Sequence, residues 1–104
     1  MNIYRQGDLL IKEIDKLPEN LKKIKDNIIA IGEATGHKHQ LLERETTQFE
    51  ILEDEKGNKF LNIKQPTDLI HEEHKMITIE KGIYFIKHER EYDYFGEELR
   101  RISD

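Results

Sequence analysis

The chain contains no cysteine. It can therefore form neither disulfides nor thiolate metal sites. It also lacks a G-x-S-x-G nucleophile turn, a Walker loop and a G-x-G-x-x-G dinucleotide loop. Nucleophilic catalysis and nucleotide binding through known loops are thus not expected, so an enzyme with this sequence would depend on a metal.

Long apolar runs are missing as well. No stretch approaches the roughly 18 consecutive apolar residues of a membrane span, and residues 1–15 lack the apolar region of a secretory signal. Acidic residues outnumber basic ones by 22 to 17, and the two signs are interleaved without a basic stripe. We expect a cytoplasmic protein with neither a membrane nor a nucleic acid as its favoured partner.

The apolar residues gather in short runs, which favours a folded core over disorder although 38% of the residues are charged. Period-2 alternation in DLLIKEI predicts a first strand over residues 8–14, and the apolar run IIAIGEATG predicts a buried strand that ends in a turn at Thr35-Gly36. The segment between them, residues 15–27, is interpreted as a connection with one helical turn.

Two hairpins are predicted further along the chain. Lys56-Gly57-Asn58 supplies the turn of the first, and Glu80-Lys81-Gly82 supplies the turn of the second, between MITI and IYFIKHE. The acidic-to-basic order of residues 93–102 suits a short C-terminal helix. The prediction is one all-β domain over residues 1–104, a small antiparallel sandwich or barrel with that helix at its end.

The histidines are concentrated in two pairs. His37 and His39 follow the Thr-Gly turn, and in an extended strand both rings point to one side, with Cα atoms about 6–7 Å apart. The same parity places Glu43 on that face. His37, His39 and Glu43 would form a ligand set suited to zinc, iron, manganese or nickel. The alternative is a polar strand start with partly exposed rings.

The second pair, His71 and His74, lies three residues apart in the segment HEEH. Because the segment precedes a predicted strand, it is interpreted as a tight turn from which both rings could still reach one ion. Glu72 and Glu73 could orient an imidazole N–H or act as a general base beside a metal-bound water. A solvated acidic turn is the alternative. His88 ends a strand and is more typical of a structural hydrogen-bonding residue.

Two resemblances add to this interpretation. The spacing H-x-H-x-x-x-E of residues 37–43 resembles the first motif of cupins, which implies a β-barrel and a further histidine from a later strand, with His88, His71 or His74 available. The second cupin motif lacks its Pro-x-Gly turn here. The segments GDLLIK, GEATGHKH, HEEHKMITIEKGIY and REYD…RRISD, in this order, resemble a family of small uncharacterised prokaryotic and phage-associated proteins. That resemblance implies relatives and no activity.

Three functions remain open at this stage. The first is a metal-binding β protein in which His37 and His39 are the core ligands and one or more of His71, His74 and Glu43 complete the site, either for metal-assisted hydrolysis or for binding alone. The second is a noncatalytic interaction module or homo-oligomer of phage or mobile-element origin, in which a Lys-rich strand such as GNKFLNIK forms a protected edge. The third is pH sensing by the clustered histidines. The sequence names no substrate or small-molecule ligand.

Overall fold

The computed structural model describes residues 1–31, 36–45 and 48–88. Within these ranges it contains ten β-strands and no helix, so nothing there forms a membrane-spanning helix. The strands are β1 (Ile3–Gln6), β2 (Leu9–Glu13), β3 (Lys22–Ile24), β4 (Ile28–Ile31), β5 (Lys38–Leu41), β6 (Phe49–Glu53), β7 (Lys59–Ile63), β8 (Thr67–Ile70), β9 (Ile77–Ile79) and β10 (Gly82–His88). The all-β prediction is confirmed.

The strands form two antiparallel sheets. The first has six strands in the order β1-β2-β10-β7-β6-β3, and the second has four in the order β4-β5-β8-β9. Every neighbouring pair is antiparallel. Among the strands that the structure describes, the edges are β1 and β3 in the larger sheet, and β4 and β9 in the smaller one.

One hydrophobic core lies between the sheets because both contribute to the same cluster of buried side chains. The cluster contains Leu9, Ile11, Ile29, Leu41, Ile51, Leu61, Ile63, Leu69, Ile79, Tyr84 and Ile86. Most of these are aliphatic residues at alternate strand positions, as expected when one face of each sheet is buried. Full burial of one such side chain is worth about 1.5–3 kcal/mol, so the small core holds the two sheets together.

The first predicted hairpin is confirmed. Strands β6 and β7 pair from Phe49↔Ile63 to Glu53↔Lys59, and Gly57 has the positive φ of 86° that the turn requires. The Asp54 carboxylate accepts hydrogen bonds from the backbone N–H groups of Lys56 and Asn58, both at 2.9 Å. This hairpin also corrects an expectation: β7 lies between β6 and β10, so the Lys-rich segment GNKFLNIK is not a sheet edge.

The second predicted hairpin is wrong. Strand β9 pairs with β8, whereas β10 pairs with β2 and β7 in the other sheet. The Glu80-Lys81 link therefore carries the chain from one sheet to the other. Two alternating segments that follow each other in the sequence can either pair as a hairpin or join two different sheets. The choice depends on long-range packing, which the local pattern does not encode.

Three further expectations concern the segments around the sheets. The connection over residues 15–27 contains β3 and no helical turn, so that prediction is wrong. Strand β4 is an edge strand, and Ile31 at its end is 52% exposed, so the predicted buried strand is buried only in part. The predicted C-terminal helix over residues 93–102 lies outside the described residues.

A short hairpin at the start of the chain shapes the site described below. Strands β1 and β2 pair from Ile3↔Lys12 to Gln6↔Leu9, which leaves Gly7 and Asp8 as a two-residue turn. Gly7 has a φ of +62°, the positive value that such tight hairpin loops need. The turn projects Asp8 from the end of the larger sheet.

Candidate metal centre

All five histidines of the chain lie at one end of the two sheets, where four segments meet. The larger sheet contributes the Gly7-Asp8 turn and the end of β10 at His88. The smaller sheet contributes the start of β5 and residues 71–74, which directly follow β8. We call this group, made of the five histidines with Gln6 and Asp8, the histidine cluster.

His39 is the buried centre of the histidine cluster. Its side chain is 2% exposed, and its Nδ1 lies 2.8 Å from Oε1 of Gln6. The Gln6 amide nitrogen donates to the carbonyl oxygens of Leu69, at 2.9 Å, and Lys75, at 3.0 Å. Because both amide hydrogens are used in this way, the oxygen faces the ring and can only accept. His39 Nδ1 therefore carries the hydrogen, and in the neutral ring Nε2 carries the lone pair.

That lone pair faces a carboxylate. His39 Nε2 lies 3.8 Å from Asp8 Oδ1. Burial is the main reason why the pKa of His39 falls to about 4, and the nearby His71 lowers it further, so the ring is neutral at pH 7. Two ligand atoms 3.8 Å apart, each about 2.1 Å from one ion, subtend an angle of about 130°. The spacing is close to that of two ligands in a distorted tetrahedral metal site.

His71 and His74 lie beside His39. The centroid of the His71 ring is 4.4 Å from that of His39 and 4.5 Å from that of His74, and the His39 and His74 rings are nearly parallel at 6.4 Å. His71 Nδ1 accepts hydrogen bonds from the backbone N–H groups of Glu73 and His74, at 3.0 and 3.2 Å. Its ring hydrogen is thus on Nε2 when the ring is neutral. Burial and the neighbouring His74 lower the pKa of His71.

The two glutamates of HEEH connect this segment to the first histidine pair. Glu72 accepts a hydrogen bond from the backbone N–H of Lys38 at 2.8 Å, and this bond is the main reason why the pKa of Glu72 is lowered. Glu73 Oε1 lies 3.2 Å from Nδ1 of His37, whose ring packs edge-on against His71 at 5.6 Å. The carboxylates therefore hold the two histidine pairs together.

His88 joins the cluster through Asp8. Its Nε2 lies 2.9 Å from Asp8 Oδ2, which is hydrogen-bond distance, whereas the other carboxylate oxygen faces His39. Asp8 thus stands between a histidine from β10 and a histidine from β5. It connects the two sheets at this end of the molecule.

Gly7 makes room for His74. A Cβ atom at position 7 would lie 2.5 Å from His74 Nε2, well inside van der Waals contact. The glycine therefore supplies the positive φ of the turn and lets the exposed imidazole pack directly against it.

The structure brings together four of the five residues that the sequence indicated as metal ligands, namely His37, His39, His71 and His74. It does not bring Glu43 to them. Strand β5 ends at Leu41, so the alternation of faces does not extend to position 43, and the exposed Glu43 lines a separate surface cavity with Lys23 and Glu50.

Sequence reasoning missed Gln6 and Asp8. One local signal was available, because Gly-Asp between two short alternating segments is a hairpin signature that would have placed Asp8 at a turn. Nothing local could show that this turn meets the histidines. Among the described residues, no group of three or more His, Asp or Glu side chains is placed to hold a metal ion. A bound ion would require one or more rings to turn.

Comparison with known proteins gives a family and no activity. No curated protein and no solved structure matches the chain. A family model matches residues 5–89, a range that includes every residue of the histidine cluster. The chain therefore belongs to the family described as domain of unknown function DUF8820.

Proposed function

We propose that this protein binds a single divalent transition-metal ion at the histidine cluster, with His39 Nε2 and Asp8 Oδ1 as its first two ligands. The observation that carries the proposal is the hydrogen bond between His39 Nδ1 and Gln6, because it leaves the Nε2 lone pair facing the carboxylate. Metal-bound histidines commonly donate their other ring N–H to an oxygen in this manner. The low pKa of His39 also keeps protons from competing at neutral pH.

His74 is the third ligand that we favour. Its ring is exposed and lies parallel to the His39 ring, and no hydrogen bond within the described residues engages its two ring nitrogens. His71 is less suitable, since ligation through its Nε2 would move the ring hydrogen to Nδ1 and break two bonds from backbone N–H groups. A nitrogen-nitrogen-oxygen set of this kind suits zinc, iron, manganese or nickel.

The site would keep at least one position open. Three protein ligands on a tetrahedral ion leave a fourth for water or a small ligand, as in catalytic rather than structural zinc sites. His88 lies at hydrogen-bond distance from the other oxygen of Asp8 and would hold this carboxylate in place beside the ion. This arrangement supports metal-assisted hydrolysis as the reaction class to test once metal binding is established.

Metal analysis of untagged protein purified without chelators tests the proposal. After loading with zinc or nickel and dialysis, inductively coupled plasma mass spectrometry should find about one ion per chain. The double variant Asp8→Asn/His39→Ala should lose it, and His74→Ala should bind more weakly. Glu43→Gln is the matched control, because it removes a carboxylate that lies away from the histidine cluster, and it should bind like the parent protein.

Two results would refute the metal proposal. The first is a parent protein that binds no ion after loading. The second is a double variant that folds and still retains a full equivalent, since the ion would then be held elsewhere.

A second candidate function, homo-oligomerisation through strand edges, is favoured by a different observation. Edge strands β1 and β4 each carry a largely exposed isoleucine, Ile3 at 60% and Ile31 at 52%. Apolar residues on an edge favour pairing with another strand. Light scattering on the parent protein and on Ile3→Lys and Ile31→Lys variants would test this. A monomer at high concentration in the parent protein would exclude it.

A further inference from the structure

Gln6 contacts both His39 and the chain on either side of the HEEH segment. Its side chain is 2% exposed at the end of β1. Its amide nitrogen binds the carbonyls of Leu69 and Lys75, which lie on either side of residues 71–74, and its oxygen binds His39. A single buried amide thus closes the HEEH segment into a loop and fixes the ring that the loop covers.

The amide also decides between two tautomers of His39. In a free neutral histidine side chain the ring hydrogen prefers Nε2, and here Asp8 Oδ1 is close enough to Nε2 to favour that form further. The Gln6 oxygen, 2.8 Å from Nδ1, favours the opposite form. An Nε2–H ring would be tied to Asp8 and would offer no lone pair on that side.

We infer that Gln6 is a positioning residue, which holds His39 in the Nδ1–H tautomer and so keeps its Nε2 available to a metal ion next to Asp8. The effect on metal binding rests on the proposed function, whereas the choice of tautomer rests on the contacts of the Gln6 amide. If Gln6 cannot accept a hydrogen bond, His39 takes the Nε2–H form, donates to Asp8 and loses the lone pair. Loss of such an outer partner typically lowers metal affinity by about 10–100-fold.

Nitrogen-15 NMR of the imidazole rings tests the tautomer directly in metal-free protein, because protonated and unprotonated ring nitrogens resonate far apart. The parent protein at pH 7 should show His39 with the hydrogen on Nδ1. The variant Gln6→Met, of similar size and without an acceptor oxygen, should show it on Nε2. Gln65→Met is the matched control, because Gln65 is exposed, and it should keep the parent tautomer.

The variant Gln6→Glu separates the two tasks of the amide. A carboxylate can still accept from His39 Nδ1, so the tautomer should be restored relative to Gln6→Met. It cannot donate to the carbonyls of Leu69 and Lys75, so the 71–74 loop should exchange its amide hydrogens faster than in the parent. If Gln6 only supported the fold, His39 would have the same tautomer in the parent protein, in Gln6→Met and in Gln6→Glu.

The two proposals can fail independently. An Nε2–H ring in the parent protein overturns the positioning role whether or not a variant folds, and so does a Gln6→Met variant that folds with the parent tautomer. Conversely, an Nδ1–H ring that switches in Gln6→Met supports the positioning role even if zinc and nickel titrations show no binding, in which case the metal site alone is refuted.

Discussion

Lowering the pH from 7 to 5 should destabilise the metal-free protein by about 2 kcal/mol through His39 alone. Burial depresses the pKa of this histidine from 6.5 to about 4 in the folded state. Between these two values the unfolded chain binds more protons than the folded one, so the free energy of unfolding rises with pH and levels off above 7. The full contribution, lost once the pH reaches about 4, is about 3 kcal/mol.

Urea unfolding at half-unit steps between pH 5 and pH 7.5, with a chelator present, measures this slope. The pKa values of Glu50 and Asp54 are lowered in the folded protein, so these carboxylates change its stability mainly at more acidic pH, where the unfolded groups take up protons. The chosen pH range therefore excludes most of their effect. The pKa of His71 is also lowered, so this residue makes the free energy of unfolding rise with pH in the same direction as His39. The variant His39→Gln should flatten most of the dependence, whereas Gln65→Met, which alters an exposed side chain that does not titrate, should keep it. A flat profile in the parent protein would refute the buried, neutral His39.

Two further predictions concern positions whose role follows from contacts. Gly7→Ala should lower the free energy of unfolding by about 1 kcal/mol or more, because alanine is strained at this positive φ. It should also displace His74, whose Nε2 would lie 2.5 Å from the new Cβ. Gly57→Ala is the control, because Gly57 has a positive φ but open space around it, and equal effects of the two variants on the His74 resonances would count against the contact. Tyr84→Phe should cost about 1 kcal/mol in urea unfolding because it deprives the Glu80 carbonyl of a donor at 2.7 Å, and an unchanged midpoint would show that this bond contributes nothing.

The local parts of the fold could be predicted from the sequence, and the long-range parts could not. Gly57 in its polar turn identified the β6–β7 hairpin because positive φ is a local requirement that few residues satisfy. The alternation in MITI and IYFI correctly predicts two strands, but these strands pair with β8, β2 and β7 and not with each other. Strand order depends on which buried faces fill the core together, and a period of two does not encode it.

The same distinction applies to the site. The pairs His37/His39 and His71/His74 were visible as patterns, and only their convergence required the fold. Asp8 is a different case, since an aspartate after a glycine is ordinary in a turn and gains its significance from His39, 31 positions later in the sequence. Gln6 is less visible still, because a buried amide leaves no chemical signature in a sequence.

The position of the histidine cluster gives metal binding a consequence for stability. His39 and His74 belong to the smaller sheet and its loop, whereas Asp8 belongs to the turn of the larger sheet, so an ion held by all three would cross-link the sheets. An ion present at 100 times its dissociation constant should then raise the free energy of unfolding by about 2.7 kcal/mol. The increase should vanish in Asp8→Asn/His39→Ala and persist in Glu43→Gln. If zinc bound to the parent protein without shifting its urea midpoint, the ion would have to bind the unfolded chain equally well, and ligation across the two sheets would be refuted.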